Sequence, residues 1–219
     1  MNKTGKKISS TEHAYQIIKK NILSHKIPPG TRLTSRGLAE LTGVSIIPVL
    51  QALQRLDHEG LIETIPGWGS RVITLDEETI RDKYYLREAI ECQVVRILSK
   101  KITESQKIEL LNYAQELDEI GSSYPIKKNY WKKEYDFHLM LARFAGSTSL
   151  HKEIQKINLF RFFHRANEWV LQEKASFPKE HHQLIVKGIL SGDPDIAEKA
   201  MRTHIHHQSH RIFNNSNEI

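Results

Sequence analysis

Two short helical patterns meet at Gly43 and run into a Pro-Gly turn, all within Thr34–Val72, and this stretch restricts the fold more than any other. Leu38 and Leu41 recur on one face of the first pattern, with Thr34 or Ser35 placed to cap its start. Gly43 supplies the left-handed conformation that a sharp turn needs. Ser45 can cap the second helix, and Pro48 falls in its first turn, where a missing N–H does little harm. Val49, Ala52, Leu53 and Leu56 then repeat at helical spacing up to Gly60. Residues 62–65 and 71–73 flank Pro66-Gly67-Trp68-Gly69, a pattern of two short strands around a turn. Helix, tight turn, helix and hairpin make a winged helix-turn-helix, a unit that lays its second helix in a DNA major groove.

Charge follows the same division. Residues 1–75 hold ten Lys/Arg against five Asp/Glu, whereas the remaining residues hold 22 against 21. A basic N-terminal part on a near-neutral remainder suits a DNA-binding domain joined to a domain with another task. Cys92 is the only cysteine, which excludes an internal disulfide and a cysteine-rich metal knuckle. No apolar run approaches the roughly 18 residues of a membrane span, and Met1–Ser10 is polar rather than a signal peptide. These features predict a soluble, cytoplasmic protein with no membrane partner.

The expected organisation is a flexible basic arm over 1–10, the winged helix-turn-helix over 11–75, a helical domain over 76–214 and a flexible tail over 215–219. A first helix is expected over Thr11–His25, with Ala14, Ile17, Ile18 and Ile22 on its apolar face. Beyond Val72 only helical periodicity appears. Leu86, Ile90, Val94, Ile97 and Leu98 form one stripe, and Ile108, Leu111, Ala114, Leu117 and Ile120 form the next, opened by a Thr103–Gln106 capping box. A third helix is expected over 126–144. A fourth carries Ile154, Ile157, Phe160, Phe163 and Ala166; Pro178 opens a fifth and Pro194 the last. The fold class is mainly α: a winged helix-turn-helix followed by an all-α bundle of about six helices.

Within that bundle Glu134 and His138 stand four residues apart on one helix and share a face. His182 and His204 fall on the fifth and sixth helices. If the four converge, one carboxylate and three imidazoles make a site for zinc, nickel, manganese or iron(II) with open positions. Asp136 lies about 200° around the helix from His138, so Glu134 is the better carboxylate, with Asp136 the alternative.

The residues LAELTGVSIIPVLQALQRLDHEGLIE, followed by PGWGSRV, resemble the winged helix-turn-helix of the GntR family of bacterial transcription regulators. DFHLMLARFAGSTSL and EHHQLIVKGILSGDPDIAEKAMRTHI resemble segments of the helical (FCD) effector domain of its FadR-type branch. The resemblance implies DNA contacts from Arg36, Ser45, Ile46, Leu50, Gln51, Gln54, Arg55, Gly67, Trp68 and Arg71. It also implies a divalent metal on Glu134, His138, His182 and His204, and a small organic carboxylate effector engaged by Arg87. Ile46 and Leu50 stand where the family usually has arginine, and Trp68 where the wing tip is commonly basic. Apolar side chains at those positions offer contact to a thymine methyl rather than a grip on guanine.

The expected function is a homodimeric, metal-dependent transcription regulator acting on a double-stranded operator, and not an enzyme. Two other classes stay open at this stage. One is a metal-dependent sensor with weakened DNA binding that acts through a protein partner. The other is a metal-dependent hydrolase or lyase, since an open N/O site can activate water.

Overall fold

The computed structural model describes residues 8–74, 76–123, 129–157 and 181–214, with the backbone alone for 209–214. These residues gather into two compact units, one ending before Leu75 and the other beginning at Asp76.

The first unit starts with α1 (Ser10–Leu23), capped by the Ser9 side chain, which accepts the Glu12 N–H. β1 (Arg32–Leu33), α2 (Ser35–Thr42), α3 (Ile46–His58), β2 (Ile62–Ile65) and β3 (Gly69–Val72) follow. Thr34 rather than Ser35 caps α2, accepting from the Gly37 N–H. Gly43 holds φ at +69°, and α2 and α3 diverge there by 105°. The strands form an antiparallel sheet in the order β1-β3-β2, with Arg32 opposite Arg71 and Ile62 opposite Val72. Ala14, Ile18, Ile22, Val49, Ala52, Leu56, Leu61 and Val72 are buried together, so α1, α3 and the sheet share one core. One expectation changes. Leu38 and Thr42 are the buried residues of α2, while Leu41 is about half exposed.

The second unit is helical: α4 (Glu77–Ser99), α5 (Glu104–Gly121), α6 (Tyr130–Ala145), α7 (described over 148–157), α8 (Gln183–Leu190) and α9 (Pro194–Asn214). The Thr103–Gln106 capping box forms with both of its hydrogen bonds. Ile154 and Ile157 are buried; Phe160, Phe163, Ala166 and Pro178 lie outside the described residues, as do 126–128. Most of both expected apolar stripes is buried: Ile90, Val94 and Leu98 on α4, and Ala114, Leu117 and Ile120 on α5. The N-terminal members differ. On α4, Leu86 is exposed while Arg87 and Glu91 are buried. On α5, Ile108 and Leu111 are exposed while Leu110 and Asp118 are buried. Both helices also turn polar groups inward.

Gly188 sets the spacing of α8 and α9. A β-carbon there would lie 3.0 Å from the Ala200 Cβ, 3.2 Å from the Ala197 Cα and 3.2 Å from the Ile196 carbonyl oxygen. None of these is a flexible side-chain end. Gly188→Val is therefore expected to cost about 1–3 kcal/mol by overpacking, read as a lower midpoint in thermal denaturation. Among the described residues no single helix is long and apolar enough to cross a membrane.

Candidate metal centre and nucleic-acid interface

Five helices of the bundle bring polar side chains to one buried point. α6 contributes Glu134 and His138, α9 contributes His204 and Gln208, and α4 contributes Arg87 and Glu91. His182 sits at the N-cap of α8, and Asp118 projects from α5. One potential ligand atom from each of Glu134, His138, His182 and His204 lies within 4.8 Å of the others, and all four residues are buried. His138 Nε2 is 3.1 Å from Glu134 Oε1 and 3.2 Å from His204 Nε2. Asp136 turns away and pairs with Lys132 at 2.6 Å.

A second ring of groups sets which nitrogen faces inward. Asp118 Oδ1 lies 2.7 Å from His182 Nδ1, and the same carboxylate accepts the backbone N–H groups of His182 and Gln183. That fixes the Nδ1–H tautomer of His182 and leaves its buried Nε2 with no hydrogen-bond partner among the described residues. Glu91 Oε2 lies 2.5 Å from His138 Nδ1 in the same manner. Gln208 Nε2 donates to Glu134 Oε1 at 3.0 Å and lies 3.1 Å from His204 Nε2. Lone pairs of three imidazoles and a carboxylate thus face one another, and carboxylates stand against the outer nitrogens of His182 and His138. This is the donor set of a divalent-cation site with its supporting shell.

Arg87 is wholly buried. Its Nε donates to Glu91 Oε1 at 2.7 Å, its Nη1 to Gln208 Oε1 at 2.7 Å, and its Nη2 lies 3.3 Å from His138 Nε2. The Arg87–Glu91 pair lies inside the bundle. His181, His206 and His207 fall outside the cluster. His181 stacks 4.4 Å from the His204 ring, His207 lies 5.2 Å from His181, and His206 pairs with Glu88. A cavity of about 530 Å³ between α8 and α9, lined by His181, Lys187, Lys199, Thr203 and His207, reaches one side of His204.

Burial, reinforced by neighbouring imidazoles, pushes His181, His182 and His204 towards the neutral form. It carries His181 down to about 3 and His204 well below its ordinary value. His182 is lowered too, burial outweighing the opposing pull of Asp118. For Asp118, burial would raise the carboxyl, but the His182 hydrogen bond and charge and the two amides hold it below its usual range. The sign for stability follows. Unfolding frees each histidine to take a proton at about 6.5, before the folded state can. Chelator-treated protein should therefore lose thermal stability steadily below about pH 6.5 and continue losing it towards pH 4. An unfolding temperature that stays flat from pH 7 to 5 would contradict this.

In the other unit the exposed face of α3 carries Ile46, Ile47, Leu50, Gln51 and Gln54; Ser45 stands at its N-cap position, but its side chain makes no capping hydrogen bond. Arg36 is exposed at the start of α2 and makes no hydrogen bond or ion pair among the described residues. Gln51 accepts the Thr11 hydroxyl at 2.6 Å. Arg55 is tied to Glu12 at 2.7 Å and to Glu59, and stacks 3.5 Å from the Tyr15 ring centroid. Arg71 pairs with Glu63 at 2.6 Å. Gly67 and Trp68 form the hairpin turn. The wing does carry a cation, though not from its own loop: Arg32 of β1 lies over the Trp68 ring at 4.8 Å and donates to the Trp68 carbonyl at 2.8 Å. Only the β1–β3 pairing reveals this, so no sequence spacing points to it. Helical spacing places Ile47 beside Leu50 on the same exposed face, and it places Gln208 one turn after His204. Nothing local distinguishes Asp118.

A basic winged helix-turn-helix beside a helical domain with a buried polar centre defines a DNA-binding regulator with an attached effector domain. The chain belongs to the GntR family of bacterial regulatory proteins: the gntR-family model matches residues 10–72, and the FCD-domain model matches 82–207. It is 26% identical over 210 residues to the HTH-type transcriptional repressor RspR of Escherichia coli K12, covering 92% of this chain and 88% of that one. It is 29% identical over 147 residues to the Nta operon transcriptional regulator of Aminobacter aminovorans, covering 67% and 69%. The solved structure of E. coli McbR/YncC shares the fold, with a TM-score of 0.70, 18% identity, and coverage of 96% of this chain and 100% of that one. The protein is a DNA-binding transcriptional regulator with an FCD effector domain, and the relatives it resembles are regulators rather than enzymes.

Proposed function

We propose that the helical domain holds one divalent metal ion on Glu134, His138, His182 and His204, and that a small organic carboxylate binding beside it modulates operator binding. The observation that carries this is the buried set of four ligand atoms within 4.8 Å, backed by Asp118 and Glu91 on the far nitrogens of two of the imidazoles. Bound there, a divalent ion would supply a Lewis-acidic centre for an anionic ligand. Zinc, nickel and manganese suit the N/O donor set.

The chain's own residues then define the effector step. Arg87 has a charged partner in Glu91 and a neutral one in Gln208. An entering carboxylate displaces the neutral acceptor, because a guanidinium binds an ionised acceptor more strongly than an amide oxygen. Gln208 is thereby released, and α9 with it gains a second packing against α4. That two-state element is what an effector biases. The protein acts as a cytoplasmic homodimer in this reading, since a two-fold operator takes two recognition helices. Exposed Tyr85 and Leu86 on α4 offer apolar surface for a second copy.

The test is a thermal-shift screen of small carboxylates on metal-loaded and chelator-stripped protein. Stabilisation by a carboxylate of the loaded protein alone, weakened in Arg87→Ala, supports the reading. Equal stabilisation of both forms contradicts it. For the DNA-binding unit, affinity should fall steeply with salt, because its cations meet phosphate. Arg36→Ala should weaken binding about uniformly across sequences and reduce the salt slope by about one. A slope unchanged by that substitution in anisotropy titrations would remove Arg36 from the interface.

A further inference from the structure

The base-facing side of α3 lacks the groups that usually read guanine. Its residues, IIPVLQALQRLDH, include one arginine, and Arg55 is occupied by Glu12, Glu59 and the Tyr15 ring. Gln51 is engaged by Thr11. What α3 presents in its first turn and a half is aliphatic: Ile46, Ile47 and Leu50 are 47%, 70% and 47% exposed. Leu50 stands four residues from Ile46 and three from Ile47, so it neighbours both at the N-terminal end of the helix, the end that contacts base edges in this kind of unit. In the major groove the one apolar feature of any base pair is the C5-methyl group of thymine.

We propose that α3 reads its operator through thymine methyl groups packed against Ile46, Ile47 and Leu50, with exposed Arg36 and the Arg32–Trp68 wing fixing the register on the backbone. This rests on DNA binding by the winged helix-turn-helix. DNA is the occupant that the charge favours, since residues 1–75 carry twice as many basic as acidic side chains. Three aliphatic side chains buried against methyl groups give sequence preference without a hydrogen bond, while the cations supply affinity.

The experiment uses full-length protein and a random duplex pool, selected for binding at low salt. Each thymine of the selected site is then replaced by deoxyuridine, which removes the methyl group alone. Two or more positions per half-site should each lose about fourfold in affinity, the worth of one buried methyl. Leu50→Ala or Ile47→Ala should erase the loss at the position that the residue covers. Both positions are exposed, so these variants should keep the wild-type unfolding temperature. Affinity unchanged on a fully uridine-substituted site overturns the proposal and leaves DNA binding intact. Penalties of equal size in wild type and in the Ile46→Ala, Ile47→Ala and Leu50→Ala variants overturn it as well. Failure to select any duplex overturns the underlying reading, and an apolar protein surface becomes the occupant of this face.

Discussion

Stripping divalent metal from the purified protein should lower its unfolding temperature by on the order of 10 °C, and His204→Ala should abolish the difference. The size comes from linkage. A ligand that binds only the folded state at about a thousand times its dissociation constant stabilises by about 4 kcal/mol. For a chain of this length each kcal/mol moves the midpoint by roughly 2–4 °C. His204 is the ligand to remove because it has the fewest structural duties. His182 is locked to Asp118 and His138 to Glu91, whereas His204 Nδ1 has no hydrogen-bond partner among the described residues. Its loss should separate metal binding from folding. An intact circular-dichroism spectrum together with no response to added zinc, nickel or manganese is the expected result. A variant that still gains 10 °C on loading would remove His204 from the site.

The second large effect is expected at a residue that would not touch the ion. Asp118→Ala leaves His182 Nδ1 and two buried backbone N–H groups without their acceptor. Leaving a buried donor unsatisfied costs about 1–3 kcal/mol, and supporting carboxylates of this kind alter metal affinity by about 10–100-fold. Asp118→Asn separates the two contributions. Its amide oxygen still accepts one N–H, so stability should recover in part while metal affinity stays low. Denaturant titration gives the first quantity and competition with a metal-sensitive dye the second. Full recovery of both by Asn would mean that the charge on Asp118 is immaterial.

The legible and illegible parts of the sequence divide along physical lines. The winged helix-turn-helix was readable because each boundary has a local chemical signal: Thr34 and Ser45 at caps, Gly43 in the turn, Pro66-Gly67 in the hairpin. The pairing of Glu134 with His138 was readable because it lies within one helix. Apolar periodicity misled on α4 and α5, where it favoured Leu86, Ile108 and Leu111 as core. Those helices also turn Arg87, Glu91 and Asp118 inward, where each gains a buried hydrogen-bond partner that apolar periodicity does not register. Asp118 could not be found at all, because its partners on α8 are 64 and 65 residues away. Arg32 escaped for the same reason: strand pairing, not spacing, carries it to Trp68.

Elemental analysis of the full-length protein purified without chelator, beside His204→Ala prepared identically, reads the metal centre itself. About one divalent ion per chain is expected in the wild-type protein and none in the variant. No metal in either preparation, with no rise in unfolding temperature when zinc, nickel or manganese is added to the wild type, would contradict this expectation.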